Sequence, residues 1–297
     1  ALARKAHAKG IPLVALKVGK SDEAQSATVS HTASLAGRDA GATALLEHLG
    51  IARVSDLPTL LETLKILHIA GPLPSRNIAS ISCSGGEASL IADMAHDTEL
   101  TFPPLTSTQQ NRLSEALGPK VALANPLDYH TYIWRDTDAM ARAFCAMIEP
   151  ELAITFLIVD FPRSDICDAS DWECAIQAAL STRAATGGTI AVVASLPELM
   201  PEDVALRLMA GGVIPIGGIA EALAATQAAI MRPSQSCDLI VPRAAQDAVT
   251  LTEAAAKQEL SAAGVTVPQL LIGDLDLLAA HADANSQKFV LKSVGIA

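Results

Sequence analysis

Short runs of consecutive apolar residues alternate along this chain with stretches in which apolar residues recur every three or four positions. Strands buried on both faces of a parallel sheet read as near-continuous apolar runs, and the helices that cover them show a single apolar stripe. IPLVALKV (11–18) and IARV (51–54) are the first two strand-like runs. A helix carrying Leu45, Leu46 and Leu49 lies between them, and one carrying Leu60, Leu61, Leu64, Ile66 and Leu67 follows. The opening ALARKAHAKG is itself helical in character. GPLPSR (71–76) interrupts the series as a Pro/Gly hinge.

A fresh series begins at Asn77. NIASISC reads as a strand, SGGEASLIADMA as a turn entering a helix, and STQQNRLSEALG and DAMARAFCAMI as two further helices. ELAITFLIVD and TIAVVASL have the composition of buried parallel strands, and the helix IAEALAATQAAIM closes the series. RPSQSCDLIVPR is a polar, Pro-containing linker; LTEAAAKQELSAAGVTVP is a capped helix stopped by Gly264 and Pro268, and DLDLLAAHA and KFVLKS follow as helix and strand. The pattern therefore predicts an α/β protein with doubly wound parallel sheets. Its expected parts are the end of one α/β domain over 1–70, a whole one over 77–231, a linker over 232–249 and the start of a third domain over 250–297. An opening without methionine and a stop after KFVLKSVGIA read as the ends of a piece cut from a longer protein.

Composition narrows the function classes. Half of the residues are apolar but only 3% are aromatic, which suits small-residue helices packed closely on sheets. A net charge of −11 offers no basic surface to displace counterions, so sequence-independent nucleic-acid binding is not expected. The five cysteines contain no CxxC pair and suggest neither a zinc site nor a disulfide framework; a reducing, cytoplasmic setting fits them. The longest apolar region, VIPIGGIAEALAATQAAIM, is broken by Pro215, Gly217, Gly218 and Glu221, so no membrane span is expected.

Two stretches carry candidate chemistry. In SHTASLAGRDAG (30–41), His31 stands between Ser30 and Thr32 just before a small-residue helix start. Taken alone it reads as a hydrogen-bonded loop histidine, and a metal reading finds only Asp39 and Glu23 for company, so no metal site is expected. In CSGGEASL, a strand ends at Cys83, Gly85 and Gly86 let the backbone approach a ligand, and a helix N-terminus follows with its unpaired N–H groups. Such a turn holds phosphate; its plain alternative is a tight connection with Ser84 as N-cap. Glu87 in the first helical turn would itself occupy the favourable end of the dipole.

Taken together, SHTASLAG, SGGEASL, ANPLD, LTEAAAKQELSAAGVTVP and VLKS, in that order, resemble the ADP-forming (NDP-forming) acyl-CoA synthetases, relatives of succinyl-CoA ligase. Ala33 stands where that family has a glycine after SHT. The resemblance implies succinyl-CoA-ligase-like flavodoxin domains followed by the start of an ATP-grasp domain, with the CoA-binding domain and most of ATP-grasp absent. It implies that His31 is transiently phosphorylated, with Ser30 and Thr32 beside it in a positioning role. Ser84, Gly85, Gly86 and Glu87 would form one wall of the phosphate station, Asn125 and Asp128 of the NPxD turn would position it, and Lys292 in VLKS would contact nucleotide phosphates. The implied reaction is ligation of a carboxylic acid to CoA with ATP and Mg, through an acyl phosphate and phosphohistidine, in a cytoplasmic homo-oligomer; this piece alone would be inactive.

NPLDYHTYIW places Tyr129, His130, Tyr132 and Trp134 within six residues. They read either as an aromatic wall for the organic acid or as a plug at the rim of the domain. Two other function classes remain open at this level. One is a non-catalytic homologue that senses acyl-CoA or nucleotide, such as the ligase-like portion of a protein acetyltransferase; the other is a free-standing flavodoxin-like binding module.

Overall fold

The computed structural model describes residues 2–24, 39–230, 251–268 and 271–284. They fall into two compact units, Ala1–Ser236 and Cys237–Ala297.

The first unit opens with α1 (Leu2–Ala8), β1 (Val14–Leu16), α2 (Asp39–His48), β2 (Ala52–Val54) and α3 (Leu57–Ile69). Strands β1 and β2 pair in parallel, with Val14 opposite Ala52 and Leu16 opposite Val54. The strand expected over 11–18 is thus confined to three residues, because its β2 partner offers only three ladder positions. Helix α3 begins where the sequence says it must: Asp56 accepts from the Thr59 N–H at 2.7 Å, and Pro58 sits in the first turn, where no N–H is needed. Helix α2 buries none of its residues, and Leu45 stays 42% exposed, so the leucine face expected there is not a core face.

The larger sheet belongs to the same unit. It runs β3 (Ile78–Ser82), α4 (Gly85–Ala95), α5 (Ser107–Leu117), β4 (Leu127–Asp128), α6 (Thr137–Met147), β5 (Ile154–Ile158), α7 (Glu173–Thr186), β6 (Ile190–Ala194), α8 (Glu202–Ala210), β7 (Ile214–Gly217) and α9 (Ile219–Ala229). All five strands are parallel, in the order β4-β3-β5-β6-β7. Counted from β3, this is the 2-1-3-4-5 order of flavodoxin-like folds, whose ligand crevice opens at the carboxyl ends of the first and third strands. Strands β4 and β7 escape the apolar pattern because one has two residues and the other carries Pro215, which an edge strand tolerates.

Period-two alternation divides the strand side chains between two cores. Ile81, Leu157 and Val192 meet Leu113, Met140, Phe144 and Leu208 from α5, α6 and α8. Ile78, Phe156, Ile158 and Val193 face Ile66, Ile91 and Leu223 from α3, α4 and α9. Helices α3 and α9 also serve the small sheet, since Leu60 and Ala228 pack with Val14, Leu16, Ala52 and Val54. The two helices therefore lie between the two sheets.

The second unit contributes α10 (Glu253–Ala262) and α11 (Leu275–Ala284). Thr252 caps α10 by accepting from the Ala255 N–H at 3.3 Å. No helix of the described residues is long and apolar enough to cross a membrane.

Candidate functional site

Strand β3 delivers its chain to the crevice through Ser82, Cys83 and Ser84. The Ser84 hydroxyl accepts from the Glu87 N–H at 3.4 Å, and its backbone carbonyl accepts from the Ser82 hydroxyl at 2.8 Å. Ser84 is therefore the N-cap of α4, and its side chain is committed to the turn. The first-turn N–H groups of Gly85 and Gly86 remain directed out of the helix end.

The two glycines are not equivalent. A Cβ on Gly85 would come 3.0 Å from Asp128 Oδ2, whereas one on Gly86 would meet only Ser84 Oγ, at an ordinary 3.5 Å. At Gly85 the missing side chain makes room for Asp128, because the adjacent edge strand β4 ends there, in register with Ser82. Gly86 is an ordinary helical residue without a positive φ.

Asp128 is held by the turn that precedes and the loop that follows it. The Asn125 amide nitrogen donates to the carbonyls of Ile78 and Pro103 at 3.0 and 3.1 Å, and its oxygen accepts from the Ser80 N–H at 3.2 Å. This side chain satisfies the backbone of β3 where β4 is too short to reach, and it anchors the cis Asn125–Pro126 turn. Beyond Asp128, Tyr129 donates its N–H to the Ser82 carbonyl and His130 donates its N–H to Asp128 Oδ1 at 2.8 Å. The His130 Nδ1 lies 3.4 Å from Asp128 Oδ2.

Strand β5 brings a third carboxyl to the same crevice. Asp160 accepts from the N–H of Ser195 at 2.6 Å and from its hydroxyl at 2.7 Å, which ties the end of β5 to the end of β6. Glu87 answers to this surrounding. Burial first, and the nearby Asp160 and Asp128 after it, push its carboxyl up to about 7, and Oε2 is buried without a hydrogen-bond partner. Burial and the same Glu87 also raise the Cys83 thiol, so this cysteine is not an activated nucleophile. Asp160 and Ser195 were missed in the sequence. Their signal was position, since each directly follows a buried apolar strand, or follows it by one residue, at the carboxyl edge where α/β ligands bind.

The aromatic group at 129–134 does not act as one wall. Tyr129 is 2% exposed, stacks edge-on with Phe144 at 5.9 Å and belongs to the core, with its hydroxyl beside Cys83. Trp134 packs edge-on against Trp172 at 5.9 Å. Only His130 and Tyr132 face outward, with ring centres 5.5 Å apart. Tyr129 and Trp134 are thus packed against other rings, while His130 and Tyr132 of the same loop reach the surface.

The small sheet presents a separate polar cluster at the carboxyl ends of its strands. Arg53 of β2 forks onto Asp39, with Nη2 2.6 Å from Oδ1 and Nη1 3.1 Å from Oδ2, and Lys17 Nζ lies 3.4 Å from Oδ1. Arg53 Nη1 also donates to the Thr43 hydroxyl. These bonds hold Asp39 below the usual carboxylate range, the Arg53 hydrogen bonds first. Ser30, His31 and Thr32 lie outside the described residues, as does Lys292. Among the described residues, no group of three or more His, Cys, Asp or Glu is arranged to hold a metal ion.

Comparison with known proteins gives a consistent set of relatives. Residues 1–67 match the succinyl-CoA ligase like flavodoxin domain. A trans-feruloyl-CoA synthase from an unknown prokaryotic organism is 30% identical over 151 residues, covering 51% of this chain and 21% of that protein. An ADP-forming acetate–CoA ligase of Methanocaldococcus jannaschii is 30% identical over 117 residues, 39% of this chain and 17% of its own length. The chain thus spans about a fifth of the length of these relatives. A dinucleotide forming acetyl-coenzyme A synthetase 1 of Ca. Korarchaeum cryptofilum, solved with phosphate and ADP, superposes with a TM-score of 0.63 at 16% identity, covering 77% of this chain and 48% of the other, and so shares the fold.

Proposed function

Because the chain belongs to the ADP-forming acyl-CoA synthetase family, related to succinyl-CoA ligase, we propose that it is the phosphoryl-transfer portion of a ligase that makes acyl-CoA from a carboxylic acid, CoA and ATP. The observation that carries this reading is the pairing of two features. One is a histidine in SHTASLAG within the family-matched residues 1–67; the other is a glycine-opened helix N-terminus at the switch point of a flavodoxin-order sheet.

In this reading ATP and Mg bind at the ATP-grasp portion, to which Lys292 belongs, and CoA binds at a domain outside this chain. The acid first accepts a phosphoryl group to give an acyl phosphate, and CoA thiol displaces it as phosphate. His31 carries the phosphoryl group between stations: its neutral imidazole is a competent nucleophile near pH 7, and the phosphoramidate it forms retains high transfer potential. The first turn of α4 receives that group through the Gly85 and Gly86 N–H groups. Glu87 sets a condition on this step. Ionised, it would repel an incoming phosphate; carrying the proton that burial, Asp160 and Asp128 favour, it admits the anion and donates to it.

The feruloyl-CoA-forming relative supports an aromatic acid as the substrate class. The test is labelling of the complete ligase, meaning this chain joined to the CoA-binding and ATP-grasp portions of the family. Given Mg and ATP labelled at the γ position, it should acquire acid-labile, base-stable label on His31, lost in His31→Ala. Equal labelling of His31→Ala would remove His31 from the mechanism.

A further inference from the structure

The loop after β4 is held in an uncommon backbone conformation. His130 and Arg135 both have positive φ, 57° and 72°, and neither is a glycine. Side chains rarely adopt that region unless surrounding contacts fix it, and such residues gather where a surface must be presented in one form. The contacts are plain. His130 N–H donates to Asp128 Oδ1, Trp134 N–H to the Thr131 carbonyl and Asp136 N–H to the Ile133 carbonyl; Arg135 pairs with Asp171, and Trp134 lies against Trp172.

This rigid loop displays one large aromatic side chain to solvent. Tyr132 is 66% exposed, although it is one of only two tyrosines in the chain and its neighbours Tyr129 and Trp134 are packed away. His130 lies on one side of it, with ring centres 5.5 Å apart, and the Lys120 ammonium sits 5.9 Å from its ring centre. The surface is continuous with the phosphate turn. Asp128 Oδ2 abuts Gly85 and also faces His130 Nδ1, and His130 adjoins Tyr132.

We propose that Tyr132, flanked by His130 and Lys120, is the platform on which the ring of a planar aromatic carboxylic acid stacks, with its carboxyl end towards the Gly85 turn. Lys120 then donates a hydrogen bond to an oxygen substituent at the far end of the ring. The chemistry fits each element: an exposed tyrosine stacks a planar ring, the Lys120 cation over the Tyr132 ring favours an electron-rich one, and a fixed loop loses little entropy on binding. This inference rests on the ligase reading and narrows its substrate class.

Direct binding to the 297-residue chain tests it, by saturation-transfer NMR titration with 4-hydroxycinnamate, cinnamate and propionate. The ring-bearing acids should bind and propionate should not. Tyr132→Ala should weaken both by about tenfold, and Tyr132→Phe, which keeps the ring, should stay within about twofold of wild type. Lys120→Met should erase the preference for 4-hydroxycinnamate over cinnamate. Unchanged tryptophan fluorescence from Trp134 and Trp172 verifies that the loop is intact in each variant. Equal affinities in wild type and Tyr132→Ala, or no binding of either ring acid, would overturn the proposal. Acid-dependent ADP release by the complete ligase is scored separately. Ring binding without ADP release leaves the platform standing and removes the ligase reading; ADP release with aliphatic acids and no ring binding does the reverse.

Discussion

Asp128 Oδ2 lies where a side chain on Gly85 would have to go, 3.0 Å from the position its Cβ would take. Glycine at residue 85 is thereby favoured by the end of a neighbouring strand rather than by its own backbone angles. Gly85→Ala must move the Asp128 carboxylate by a few tenths of an ångström, whereas Gly86→Ala meets only an ordinary contact. The expected outcome is a stability gain of about 0.5 kcal/mol for Gly86→Ala, from lost chain entropy, and little or no gain for Gly85→Ala. Thermal unfolding of the two variants measures the difference. In the complete ligase, His31 labelling in single turnover should slow in Gly85→Ala and not in Gly86→Ala; the opposite ranking would place the phosphate elsewhere.

Glu87 gives the crevice a pH dependence whose sign can be worked out. Its carboxyl is raised from the ordinary 4.5 to about 7 in the folded chain, so the native state binds more protons than the unfolded state between those values. Stability then falls as pH rises through this window, and the penalty is fully present above pH 7. Glu87→Gln should raise the melting temperature at pH 8 and leave it nearly unchanged at pH 4.5. Glu62 is also raised by burial, but it is common to both proteins and cancels in the comparison. A Gln variant with the same gain at both pH values would show that the charge is not the cause.

The Asp160–Ser195 pair should be coupled to Glu87. Ser195→Ala removes one of two hydrogen bonds to a carboxylate and should cost about 1.5 kcal/mol. Asp160→Asn removes a negative charge that raises Glu87, so the Glu87 titration followed by carboxyl-carbon NMR should move down towards its ordinary range. An unmoved Glu87 in the Asn variant would mean that burial and Asp128, without Asp160, set its proton affinity.

Arg53 and Asp39 make the small sheet sensitive to acid. The Arg53 hydrogen bonds depress Asp39, so their contribution is present above about 3.8 and is lost as pH falls through the folded value. Arg53→Met should therefore lower stability at pH 7 and converge with the wild type under strongly acidic conditions. Urea titrations at pH 7 and pH 2.5 compare the two directly, and a constant difference would assign the effect to the lost alkyl packing of the arginine.

The sequence by itself determined the fold class and most of the elements. Apolar runs such as ITFLI and IAVVA read as buried interior strands, and Ser84 and Thr252 announce helix starts because their side chains satisfy backbone N–H groups locally. These are short-range decisions, made within one turn or one strand. Tertiary structure alone decided the strand order, which puts β4 on one side of β3 and β5 on the other, and so brings Asp128 against Gly85 and Asp160 near Glu87 from distant parts of the chain. It also separated Tyr129 from Tyr132, burying one and exposing the other three positions away. No local pattern encodes such outcomes, because the raised proton affinity of Glu87 and the fate of each aromatic ring depend on which distant strand end arrives beside it, and that is settled only when the sheet closes over its two cores.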